Sequence, residues 1–411
     1  MPAPAQTLQR DASVMTLVGL AHYMSHVMQL ALPPLFFPTL LNEFGVGYTE
    51  LGLIMTLFYV ASGLGQAGAG ILVDRYGGQR LLLAGLTLLS LSIALAGTVA
   101  SYWMLLPLAL LAGLGNSVFH PADLSILSHR ISESRLGRAY ATHSIAGALG
   151  YATTPTLITA LAAYSNWRLA LGIVGGAGLC VALALYVNRS RLTYALSHAA
   201  RSAGPSQRQP RYLQVVGSPV VLMAFAYFAM TAFAGSGLQT FSITALVSGY
   251  SVTLKVAALG LTFYLVGSAG GMVLGGFLAD RTRHHHRVAM GGIAIAATLM
   301  LLLSAIAGDA AVVMPVMMLA GTANGITAPS RDVLIRRAAA GAGMGSVFGF
   351  VYSGFDLGSS TAPLLFGALL DHQAPHAVFV AVACAFALAV PTVMQVQHRV
   401  AQRRQVPAGA D

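Results

Sequence analysis

Twelve long apolar runs, separated by short polar breaks, organise this chain. They fall at 14–41, 50–73, 81–100, 103–127, 139–163 and 167–187, then at 217–247, 254–279, 288–307, 310–335, 345–370 and 376–396. A helix needs about 20 apolar residues to cross a bilayer. The pattern therefore predicts an all-α membrane protein of twelve transmembrane helices. The longest polar break divides the runs six and six. This gives a tail at 1–13, a six-helix half at 14–187, a linker at 188–216, a second half at 217–398 and a tail at 399–411.

Composition narrows the class. Hydrophobic residues make up 56% and charged residues only 8%, with a mean hydropathy of +0.73. Soluble domains carry about 25% charged residues, so a soluble enzyme, a disordered chain and a secreted disulfide scaffold are excluded. The 45 glycines suit close helix approach in a bilayer. Cys180 and Cys384 each lie inside an apolar run without metal-ligand spacing, and read as packing residues. The first 13 residues are polar and show no cleavable signal sequence.

The net charge of +10 is distributed over loops rather than over a nucleic-acid footprint. Arginines gather in alternate breaks: Arg75 and Arg80, Arg130 to Arg138, the linker, Arg281 to Arg287, Arg336 and Arg337, and Arg399 to Arg404. The opposite breaks hold Glu43, Glu50, Asp309 and Asp371. By the positive-inside rule both termini and the linker are expected in the cytoplasm. Trp103 and Trp167 fall at the expected outer boundaries, where amphipathic rings belong.

The two halves repeat at an offset of about 207. Gly70-x3-Asp74-Arg75 recurs as Gly276-x3-Asp280-Arg281. Asn116 and Pro121 recur as Asn324 and Pro329, and Gly150 with Pro155 as Gly358 with Pro363. Two parallel six-helix halves follow, related by an axis along the membrane normal.

With Gly70, Asp74, Arg75, Gly77, Gly78 and Arg80 between spans two and three, the chain resembles the major facilitator superfamily over residues 14–398. Within it, Ala21-His22 and Gly115-x3-Phe119-His120-Pro121 are similar to the fosmidomycin-resistance-type bacterial permeases. Those permeases tend to carry an acid directly after the His-Pro pair. Here Ala122 follows and the acid is Asp123, turned about 100° around a helix. The resemblance implies that spans 1, 4, 7 and 10 line a cavity, and that spans 2, 5, 8 and 11 form a rocking seam. It also implies that the loop motif, with Asp280 and Arg281 in the second half, latches one conformation without touching substrate.

Ionisable groups inside membrane helices cost about 2.5–3.5 kcal/mol on insertion scales and are functional candidates. Asp356 lies midway along the eleventh span and is the first candidate for a proton carrier; His120 and Asp123 in the fourth are the next. A structural hydrogen bond from a neutral group is the competing explanation for Asp356 and His120; for Asp123 it is plain solvation about one turn from the cytoplasmic end. Asn116, His120 and Asp123 share one predicted helix face, as do His22, His26 and Gln29 in the first span. These residues, with Asn324, Arg331 and Tyr352, are the candidate cavity wall. His143 in the fifth span is a weaker candidate. His22 and His26 have a spacing that zinc uses, but no third ligand is evident, and no metal or other cofactor is expected.

Asp123 and Arg331 occupy equivalent positions after Pro121 and Pro329, with opposite charges. They are expected to pair across the halves as a gate; local pairing, Asp123 with Arg130, is the alternative. The functional expectation is a proton-coupled secondary transporter of a small organic solute in a bacterial inner membrane, working as a monomer by alternating access. Drug or metabolite efflux is one direction. Import of an organic anion or nutrient, or a sensor built on a transporter fold, are the alternatives. An enzyme is not expected.

Overall fold

In a computed structural model, the described residues are 4–194, 217–305, 309–338 and 344–405. No strand occurs among them. The helices are α1 (Pro4–Gln29), α2 (Tyr48–Tyr76), α3 (Gly78–Ala96), α4 (Tyr102–Arg130), α5 (Leu136–Tyr164) and α6 (Trp167–Val187). Then come α7 (Pro219–Tyr250), α8 (Leu254–Arg281), α9 (His285–Ala305), α10 (Ala310–Ala338), α11 (Met344–Asp371) and α12 (Pro375–Gln405). The protein is thus an all-α membrane protein; among the described residues it has these twelve long helices, nine of them long and apolar enough throughout to cross a membrane. Short helical turns at Pro33–Leu35, Phe36–Leu40 and Leu41–Phe44 lead from α1 to α2.

The chain forms two compact units, Met1–Pro205 and Ser206–Asp411. Each repeats the same internal pairing. In the first, α4 packs on α2 and α3, α3 on α6, and α1 on α5 and α6. In the second, α10 packs on α8 and α9, α9 on α12, and α7 on α11 and α12.

Small residues set these contacts. A Cβ at Gly113 in α4 would stand 2.2 Å from the Phe58 carbonyl oxygen in α2. At the equivalent Gly321 in α10, the Tyr264 oxygen would be closer still, at 1.9 Å. Backbones at this distance admit only hydrogen between them, which is the small-residue packing of membrane helices.

The fourth helix departs from the continuous span that its apolar run suggests. It breaks at Ser117–Val118 into Leu105–Asn116 and Phe119–Arg130. Pro121 has no N–H to offer the Ser117 carbonyl, and its ring crowds that turn. The equivalent Pro329 sits inside an unbroken α10. Of the two tryptophans, Trp103 is 72% exposed, but Trp167 is 5% exposed under the Arg168 guanidinium, so only the first is free to face the interface.

Candidate functional site

Four imidazoles and one carboxylate converge inside the first unit. His22 and His26 stand one turn apart on α1, His120 and Asp123 lie on the second segment of α4, and His143 lies on α5. Asp123 has no exposed surface, and His22 and His143 are 3% and 6% exposed. His143 Nε2 lies 3.0 Å from Asp123 Oδ2 in a hydrogen bond. His22 Nδ1 approaches the same oxygen at 3.4 Å without hydrogen-bond geometry, and Asp123 Oδ1 has no partner.

On its far side, His22 Nε2 meets His26 Nε2 at 3.2 Å. The His22 and His143 rings stack at 3.7 Å, 20° apart. His26 tilts against Tyr151 at 4.1 Å, and Gln29 hydrogen-bonds the same tyrosine. A stripe of small residues makes room for this group. A Cβ at Gly147 in α5 would lie 2.7 Å from His22 Nε2, and one at Gly150 would lie 2.4 Å from the Tyr23 carbonyl oxygen. His143, Gly147 and Gly150 stand at i, i+4 and i+7, so one face of α5 presents a donor and then two clearances to α1.

The remaining candidates are placed elsewhere. Asn116 donates to Ser62 Oγ at 3.0 Å, tying α4 to α2. It therefore does not share the surroundings of Asp123, although one continuous helix would have put both on one face; the break at Ser117–Val118 separates them. Asn324 donates to the Tyr264 hydroxyl at 3.2 Å, the equivalent tie between α10 and α8. His120 is exposed, with its ring 5.4 Å from that of His22. Arg331 lies over the Phe228 ring at 4.6 Å. Asp356 is half-buried in α11 and forms no hydrogen bond or ion pair with another described residue. The Tyr352 side chain lies outside the described residues. Asp123 does not pair with Arg130, whose Nε donates to the Arg191 carbonyl.

The loop motif occupies the α2–α3 and α8–α9 junctions. Asp74, Arg75 and Arg80 are exposed, as are Asp280 and Arg281. Its paired glycines have separate reasons. Gly77 caps α2 at φ +89°, a conformation L side chains rarely adopt. Gly78 donates its N–H to the Tyr194 hydroxyl at 3.1 Å, and a Cβ there would lie 2.9 Å from the Ala122 carbonyl oxygen. Gly70 and Gly276 have open space around them.

One buried acid was not singled out from the sequence. Asp11, ahead of the first apolar run, accepts from the Ser132 hydroxyl at 2.6 Å and from Arg135 Nε at 3.0 Å, pinning the start of α1 to the α4–α5 turn. Burial alone would push this carboxyl up. The hydrogen bonds from Ser132, Arg135 and Arg10 outweigh it and hold the group below the usual carboxylate range.

The sequence profile of the Major Facilitator Superfamily matches residues 17–347 and 252–410. The chain belongs to that superfamily. It is a multi-pass membrane protein with the fold of that superfamily's transporters. Among curated relatives, it is 28% identical over 295 residues to the fosmidomycin resistance protein of Escherichia coli, covering 68% of each chain. It is also 25% identical over 253 residues to a probable L-galactonate transporter of the same organism, covering 59% of this chain and 56% of that one. The chain thus spans little more than half of that second relative. In fold it matches a bacterial homolog of the human lysosomal transporter Spinster, in an inward-facing and unoccupied conformation. That match has a TM-score of 0.79 at 15% identity, over 97% of this chain and 99% of the other.

Proposed function

We propose that this superfamily member is a proton-coupled secondary transporter that exports a small organic solute from the cytoplasm of a bacterium. It works by alternating access, as a monomer in the inner membrane with both termini inside. The observation that carries the coupling is Asp356, a carboxyl midway along an apolar helix without a partner among the described residues. A bare carboxylate at such a depth costs several kcal/mol unless a proton, a counter-charge or water relieves it. Binding and releasing a proton there gives each half-cycle a different charge in the membrane, which is what a proton gradient can drive. Export is supported by the similarity to a resistance protein.

The test uses proteoliposomes with an imposed pH gradient, with fosmidomycin and L-galactonate as the first solutes. Asp356→Asn is expected to abolish gradient-driven accumulation while leaving solute exchange intact. Full gradient-driven transport by the variant rejects Asp356 as the carrier.

A second reading, import of an organic anion, has its own support. Arg331 places a guanidinium against Phe228 of α7, and one relative is named for a sugar-acid anion. Accumulation of L-galactonate by intact cells, lost on Arg331→Gln, favours import; resistance to fosmidomycin favours export.

A further inference from the structure

We propose that His22, Asp123 and His143 form a binding site for a divalent cation of the zinc class inside the first unit. The inference is independent of the coupling reading, which rests on Asp356 in the other unit.

The donor atoms are His22 Nδ1, His143 Nε2 and Asp123 Oδ2, all within 4.8 Å of one another. The two distances to the carboxylate oxygen are 3.0 and 3.4 Å. A tetrahedral zinc ion, with bonds of about 2.0–2.2 Å, holds its ligands about 3.3–3.5 Å apart. The two distances to the carboxylate oxygen are close to those of a ligand shell, and the two nitrogens, within 4.8 Å of each other, close onto a shared ion by a small shift of the rings. The two rings stack at 3.7 Å, and each brings one nitrogen to the same carboxylate oxygen.

Two further observations point to a ligand rather than to a self-contained hydrogen-bond network. His22 Nδ1 and Asp123 Oδ1 are buried polar atoms without hydrogen-bond partners, a condition that ordinarily costs about 1–3 kcal/mol per group. Asp123 is also the one carboxylate of the cluster. A cation balances its charge and takes up the lone pair of His22.

The outer shell has the organisation such sites need. A metal-bound imidazole is held by what its other nitrogen bonds, and His22 Nε2 is bonded to His26 Nε2. Gly147 supplies the clearance that seats His22. Two imidazoles with one carboxylate select a borderline transition ion over magnesium or calcium, which prefer all-oxygen shells.

The experiment uses tag-free, chelator-stripped transporter in detergent. It is titrated with Zn2+ by calorimetry and with Co2+ by visible absorption, alongside thermal unfolding. Because His284, His285 and His286 form an unrelated cluster at the α8–α9 junction, a variant with all three changed to Gln is run in parallel. One equivalent is expected to bind to both proteins, with a tetrahedral Co2+ spectrum and a raised Tm. His143→Gln should weaken binding by more than a hundredfold, and His26→Gln by about ten- to a hundredfold through the outer shell. Asp123→Glu, which keeps a carboxylate, should still bind where Asp123→Asn does not. The proposal is overturned by no stoichiometric binding to the wild type, by loss of binding in the triple loop variant, or by undiminished affinity in His143→Gln.

Discussion

Replacing Gly147 by Ala isolates the packing that holds the histidine cluster together. The added Cβ would stand 2.7 Å from His22 Nε2 and 2.8 Å from His26 Cδ2. Ordinary contact needs about 3.5 Å, so these rings or the helices must part by roughly 0.7–0.8 Å. The rings have little room to yield, because His22 is stacked on His143 at 3.7 Å and set edge-on to His26 at 4.5 Å. Overpacking of this kind costs about 1–3 kcal/mol. Alanine is also the better helix former by about 1 kcal/mol, which would mask part of the loss. Gly176→Ala in α6 is the control: it too lies mid-helix in the first half, and a Cβ there meets nothing within 4 Å. Helix propensity is common to both substitutions and cancels in their difference. At about 2–4 °C per kcal/mol for a unit of this size, Gly147→Ala should melt about 2–12 °C below Gly176→Ala in detergent. Equal melting temperatures would refute the close approach of α5 to α1 at this position.

Two further outcomes can be tested. If the exposed motif at the α2–α3 junction acts as the proposed latch, biasing conformations without touching solute, Asp74→Asn should reduce transport at least tenfold while ligand affinity changes little; a tenfold loss of binding with unaltered conformational access would contradict this. Asp11 has its carboxyl held low in the folded protein, so its stabilisation is complete above the unfolded value of about 3.9 and is lost as pH falls through the lower folded value. The melting-temperature gap between wild type and Asp11→Asn should be constant from about pH 5 to 7 and close on acidification below about pH 4; a gap that persists unchanged at pH 3 would show that the carboxylate charge is not what braces the α4–α5 turn.

How far each feature was legible depended on the distance along the chain over which its cause operates. The twelve helices were readable because a bilayer imposes length and apolarity on every span separately. The doubling was readable because equivalent helix pairs need equivalent clearances, and Gly113 and Gly321 both face a backbone carbonyl of the partner helix. The break in α4 was not, since Pro121 and Pro329 occupy matched positions and only the first interrupts its helix; the surrounding packing makes the difference. The cluster was half legible. Spacing shows which side chains share a face of one helix, so His22 and His26 stood out together, while the carboxylate and imidazole that complete the set come from α4 and α5. His143 and Asp123 are twenty positions apart and meet because α1, α4 and α5 converge. The one local clue lay at i+4 and i+7 from His143, where Gly147 and Gly150 mark the face of α5 that must meet another helix. A titratable side chain on the same stripe as two clearance glycines points into a contact rather than into lipid, and by that rule His143 ranks beside His22 on sequence alone.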